Sequence, residues 1–97
     1  MMIIIQLALL LIGSDFPVCD NTGFQQYPCV VFGESLYYAF WSDLRSGSGA
    51  SIYAARVTTD GTVLDGGGRL LYHGNTTQGP RATFDGQNFL AVFRDSC

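Results

Sequence analysis

Lysine is absent from this chain, histidine occurs once (His73), glutamate once (Glu34) and tryptophan once (Trp41). The five basic residues are arginines scattered as Arg45, Arg56, Arg69, Arg81 and Arg94, and the net charge is -3. Nucleic-acid affinity rests on clustered phosphate contacts, so this scatter excludes a nucleic-acid partner. It equally excludes strong binding to an anionic membrane surface, which needs a polybasic patch. A single histidine, without any C-x-x-C pair, gives no basis for a structural zinc site. With one glutamate, a two-carboxylate glycosidase centre would have to be built from turn aspartates, and nothing marks such a pair. No nucleophile can be placed beside His73 from its position in the chain, and His73 reads as the surface end of a strand. No metal or other cofactor is expected.

What the chain does have is apolar and aromatic residues in short runs, with 12 glycines between them. That composition belongs to a folded β protein rather than to a disordered one. The most apolar run is the N-terminal one, Met1 to Gly13, broken only by Gln6. It is shorter than the about 20 residues of a membrane span and matches the apolar core of a secretory signal peptide, so residues 1–14 are expected to be a leader and the mature chain to be secreted or on the cell surface. No basic residue precedes the run, and the competing readings are a buried strand or helix and a short anchor.

Three cysteines leave an odd one. In an oxidising compartment Cys19 and Cys29 could close a short loop, with Cys97 left free or bonded elsewhere; equally, all three could be small buried hydrophobes.

The most informative feature is an internal echo. Displaced by about 52 residues, Gln26 falls on Gln78, Pro28 on Pro80, Phe32 on Phe84, Ala39 on Ala91 and Asp43 on Asp95. Tyr37 falls on Phe89, Tyr38 on Leu90 and Trp41 on Phe93, so chemical character is kept where identity is not. Residues 26–77 form one complete unit and 78–97 part of a second, with 15–25 as a lead-in that supplies an outer strand of a preceding unit. Such a unit seldom buries its apolar face alone, and at least about three are expected for stability. The chain is therefore expected to be a fragment of a longer protein or a subunit that assembles with identical copies.

Within the unit, Pro28 to Phe32 and Leu36 to Ser42 read as strands around the turn Gly33-Glu34-Ser35. The second carries apolar residues on both faces, as a strand packed on both sides must. A Gly/Ser loop leads to the strand Ser51 to Val57; Asp60-Gly61 marks a tight turn, Val63-Leu64 a short extended return, and Arg69 to His73 a last strand. Pro80 restarts the cycle, with Asp85-Gly86-Gln87 as the turn and Asn88 to Arg94 as the strand. Four short antiparallel strands per unit is the pattern of a propeller blade. The expected fold is all-β: one antiparallel four-stranded β-propeller-like blade plus the first two strands of a second.

The runs Q-Y-P-C-V-V-F, Y-Y-A-F-W-S-D-L-R, I-Y-A-A-R-V and D-G-T-V-L-D, between Gln26 and Asp65, resemble the repeats of secreted and surface bacterial β-propeller proteins. Departures are Gly33, where the unit usually has Asp-Gly, and the end of the second copy, where Arg94 and Cys97 replace the W-x-D-x-R form. The resemblance implies a non-catalytic interaction or adhesion scaffold whose partners are further blades or identical subunits, or extracellular protein or carbohydrate. Its alternatives are part of an extracellular propeller enzyme with catalytic groups outside this chain, and a self-assembling repeat subunit.

Asp43 and Arg45, just past the aromatic strand, read as a brace in which the carboxylate caps turn amides or pairs with Arg45 or Arg56. Asp60 and Asp65 lack the alternating oxygen ligands of a calcium loop and read as turn formers. The aromatic residues are expected to fill the space between adjacent sheets rather than to face a sugar.

Overall fold

In the computed structural model the described residues are 3–5, 16–19, 23–45, 47 and 49–95. Among them the chain is all-β, with no helix. The strands are β1 (Ile3–Ile5), β2 (Phe16–Cys19), β3 (Gln25–Gly33), β4 (Leu36–Asp43), β5 (Ser51–Thr58), β6 (Arg69–Tyr72), β7 (Thr76–Phe84) and β8 (Phe89–Asp95). They form three sheets: β1-β2, β3-β4-β5-β6 and β7-β8, with every pairing antiparallel.

The central sheet follows from its side chains. In β4 and β5 the β-branched and aromatic residues favour a pleated backbone, and both strands lie inside the sheet with a partner on each edge. Because side chains alternate, Tyr37, Ala39, Trp41 and Asp43 share one face with their partners Val57, Ala55, Tyr53 and Ser51. Tyr38, Phe40 and Ser42 share the other with Arg56, Ala54 and Ile52.

The first face carries the core. Ala39, Trp41, Ala55 and Val57 are buried together with Val18 and Cys19 of β2, and Phe16, Tyr37, Tyr53 and Val63 pack around them. Burying a side chain such as Val57 is worth about 1.5–3 kcal/mol. The second face is covered by the β7-β8 sheet, where the Phe89 ring lies 3.9 Å from that of Tyr38. The four-stranded sheet is thus the middle of three layers. Gly33 belongs to the same contact, since a Cβ there would lie 2.6 Å from the Phe84 ring. Glycine at this place lets the end of β3 lie flat under an aromatic.

β3, β4, β5 and β7 run longer than the patterns predict, while β6 stops at Tyr72 and β8 is shifted by one residue. β3 begins at Gln25 rather than Pro28, because pairing resumes at Gln26↔Ser42 beyond an irregularity between Gln26 and Cys29. Pro28 sits within that irregularity, on an edge strand, where its missing N–H breaks no ladder. β7 likewise begins at Thr76, ahead of Pro80, with its own register shift between Gln78 and Arg81. The Asp60-Gly61 turn is closed by Gly61 N–H to Thr58 O at 3.0 Å and by Thr58 N–H to Thr62 O at 2.9 Å. The extended return at Val63-Leu64 is a single bridge, Val57↔Val63, before the chain turns at Asp65–Gly68 into β6.

Ile3–Ile5 is extended and pairs with β2; the rest of the 1–14 segment, like Cys97, lies outside the described residues. Among the described residues no helix is long and apolar enough to cross a membrane.

Candidate functional site

Two arrangements on the central sheet combine polar chemistry with burial: a charged brace at the end of β4, and an open cleft on the face turned toward β7-β8.

The brace is built by strand alternation followed by a turn. Trp41 and Asp43 are two residues apart in β4 and so project on the same face. The indole Nε1–H donates to Asp43 Oδ2 at 2.9 Å. The chain then bends, bringing Arg45 back so that its backbone N–H donates to Asp43 Oδ1 at 2.8 Å and its Nη2 donates to Oδ2 at 2.8 Å. Asp43 is fully buried and Arg45 partly exposed. Burial pushes the Asp43 carboxyl up, but the hydrogen bonds from Arg45 and Trp41 together outweigh it and hold it below the usual value. The guanidinium lies 3.8 Å from the centre of the Tyr53 ring and 3.5 Å from Cys19 Sγ. Tyr53 itself stacks on Trp41 with ring centres 6.5 Å apart. Gly68 closes this layer: its φ of +86° suits glycine, and a Cβ would meet the Trp41 ring at 2.7 Å.

Cys19 and Cys29 are both free thiols. Cys19 is buried in β2 and also approaches Gly67 O at 3.6 Å, whereas Cys29 is half-buried in β3, in a different sheet.

Arg56 does not reach Asp43 and pairs instead with Asp65. The Arg56 Nε donates to Oδ2 at 2.8 Å, Nη2 donates to Oδ1 at 3.0 Å, and the Arg56 backbone N–H adds a third bond at 3.0 Å. This forked pairing holds the Asp65 carboxyl below its usual range. Asp60 accepts from Thr58 and Thr62 within its turn, which lowers its carboxyl too.

The cleft has a volume of about 380 Å³. Its floor is Tyr38, Phe40, Ala54 and Ala55, its walls are Leu71, Phe89 and Ala91, and Arg56, Asp65 and Arg69 stand at its charged side. Asp65 is the one carboxylate lining it, and both oxygens are already held by Arg56. Such a surface can bind an apolar or strand-like partner by burial; it presents no activated nucleophile. Among the described residues no group of three His, Cys, Asp or Glu side chains is placed to hold a metal ion.

Of the repeat positions, Trp41, Asp43 and Arg45 are brought together in the brace. Asp60 and Gly61 shape their turn and stand apart from it. Gln26 and Pro28 lie in β3, with Pro28 exposed, while Pro80 of β7 is fully buried. Gln78 pairs with Arg94 in β7-β8. Phe32 stacks obliquely on Tyr37 at 4.9 Å, Phe84 on Phe89 at 4.5 Å, and Phe93 packs on Tyr72, whose hydroxyl donates to Asp95. Phe40 and Ala54 lie within the quoted runs but are not singled out there as site residues, and Leu71 lies outside them; the signal for the first two is strand alternation, which places them on the face opposite Trp41.

No protein-family model, no curated protein and no solved structure matches this chain.

Proposed function

We propose that the chain is a non-catalytic, exported β-propeller-repeat segment that serves as an interaction scaffold, its middle sheet being one blade and β7-β8 the inner half of the next. The observation that carries the reading is a shared register. Phe32↔Tyr37, Val31↔Tyr38, Val30↔Ala39, Cys29↔Phe40 and Gln26↔Ser42 pair in the first hairpin; Phe84↔Phe89, Thr83↔Leu90, Ala82↔Ala91, Arg81↔Val92 and Gln78↔Arg94 pair in the second. Each pair maps onto its counterpart at the displacement of about 52 residues at which the sequence echoes itself. The hairpins then stack face to face rather than joining edge to edge, which is how blades follow one another. The cleft, apolar and without an available acid–base pair among its lining residues, supports binding over turnover.

Export and binding are tested separately. Expressed with a C-terminal tag in a bacterial host, the chain is expected in the periplasm or medium, with its N-terminal run removed, by fractionation and intact mass. Ile3–Ile5 belongs to that run, so such a mature chain would keep β2 and lose β1. Immobilised protein is then presented with extracellular polysaccharides and matrix proteins; binding without shortening of the polymer is expected. Release of shorter sugars or cleaved peptide would replace the scaffold with an enzyme, and full-length protein held in the cytoplasm would remove export.

A further inference from the structure

The central sheet is covered unequally on its two faces. On the face toward β7-β8, the inner strand is covered by β7 and the outer half opens into the cleft. On the opposite face, β1-β2 packs over Ala39, Trp41, Ala55 and Val57, with β2 approaching β5 and β1 approaching β3. What stays bare on that face is the end of β3: Val30 and Phe32, which pair with Ala39 and Tyr37 and so share their face, are 43% and 53% exposed. The last sheet repeats the situation from the other side. Phe89 and Ala91 of β8 turn toward the central sheet, while Leu90 and Val92, on the opposite side of the strand, are 62% and 56% exposed.

These two bare patches correspond to a contact that the chain already makes within itself. Leu90 and Val92 stand where Tyr38 and Phe40 stand in the first hairpin, because Thr83↔Leu90 and Arg81↔Val92 match Val31↔Tyr38 and Cys29↔Phe40. Tyr38 is covered by Phe89 of the following hairpin, 3.9 Å away. Phe89 in turn matches Tyr37, which shares its face with Val30 and Phe32. The internal contact is therefore one face of a hairpin on the opposite face of the next hairpin, and Leu90/Val92 with Val30/Phe32 are its two unused halves.

We propose that a second copy of this chain docks head to tail: Leu90 and Val92 of one copy lie on Val30 and Phe32 of the next, as the first hairpin lies on the second within each chain. An interface joining two different patches of each copy is heterologous, so it leaves one of each patch open at the ends and extends until a ring closes. The inference rests on reading β3-β4 and β7-β8 as equivalent units and adds the partner that such units require.

The test uses the full chain and two variants, Leu90→Glu with Val92→Glu and Val30→Glu with Phe32→Glu, studied by light scattering coupled to gel filtration. The parent is expected above monomer mass. Each variant alone is expected to weaken association by at least about a hundredfold and to run as a monomer. An equal mixture of the two is expected to give a species of two chains and nothing larger, because each retains the patch the other has lost. Circular dichroism and melting midpoints like those of the parent establish that the variants fold. A monomeric parent, a mixture that stays monomeric, or a two-chain species formed by either variant alone would overturn the proposal. Backbone amide couplings across the two hairpins separate this failure from that of the repeat reading: matched registers in a monomeric protein sink the docking alone, and unmatched registers sink both.

Discussion

Trp41 in β4 and Phe93 in β8 occupy matching places in two hairpins of the same register, yet Trp41 is wholly buried and Phe93 is 37% exposed. Asp43 and Asp95, two residues further on, differ in the same way. Asp43 is sealed under Trp41 and Arg45, whereas Asp95 accepts from the exposed hydroxyl of Tyr72. What separates them is how much lies across the face they share. Trp41 is packed under β2 in the buried core, whereas Phe93 and Asp95, on the β8 face turned toward the central sheet, meet Tyr72 of β6, so a shared pattern yields a core in one place and a surface in the other.

The largest expected effect comes from removing the ring that the layers bury. Trp41→Ala should destabilise the protein by about 3–5 kcal/mol, the range for a buried aromatic truncated in a core. Phe93→Ala should cost no more than about half of that, given its exposure. Urea denaturation of both variants checks the contrast, and equal losses would show that the two hairpins are equally buried in solution.

Next in size is the brace. Asp43→Asn leaves an acceptor but removes the charge that holds Arg45, at an expected cost of about 1.5–3 kcal/mol, while Asp95→Asn should stay within about 0.5 kcal/mol. The sign of the pH dependence follows from the carboxyl of Asp43 being lower in the folded state than in the unfolded chain. Its stabilisation is complete above the unfolded value of about 3.9 and is lost as pH falls through the folded value. Asp65 shifts in the same direction. Melting temperature should therefore decline from about pH 4 downward, and Asp43→Asn should flatten part of that decline. A parent with no acid-side loss would contradict the folded-state pairing.

The smallest effects lie in the two turns. Glu34 and Ser35 join β3 to β4 with φ of 54° and 63°, in the left-handed region that suits Asn-Gly. Replacing them by Asn and Gly should stabilise by about 0.5–1 kcal/mol. In the second hairpin Gly86 already has φ of 100°, and Asp85 Oδ1 accepts from the N–H groups of Gln87 and Asn88 at 2.9 and 2.7 Å. There Gly86→Ala should destabilise by about 1 kcal/mol or more, the opposite sign at the matching turn. Melting midpoints distinguish the two.

Much of the strand order is legible in the sequence, because alternation and Asp-Gly, Gly-Ser and Pro signals are local properties of the chain. The partner of Asp43 was legible only as a choice between Arg45 and Arg56, since a strand pattern shows the face of a residue and not which of two cations the following turn swings back. The pairing of Arg56 with Asp65 and the contact of Cys19 with Arg45 join segments whose meeting depends on how sheets stack. Nor did any pattern mark Gly33 and Gly68 as seats for the Phe84 and Trp41 rings, because a close approach between layers leaves no periodicity behind.

The sequence by itself determined that this is a strand-built chain with two matching hairpins, since side-chain alternation and turn chemistry act over a few residues and survive in the linear pattern. Only the tertiary structure decided which hairpin becomes core, which carboxylate is sealed and where the cleft opens. Those properties depend on what lies across about 10 Å of sheet-to-sheet separation, a distance over which neighbouring residues in the chain carry no information.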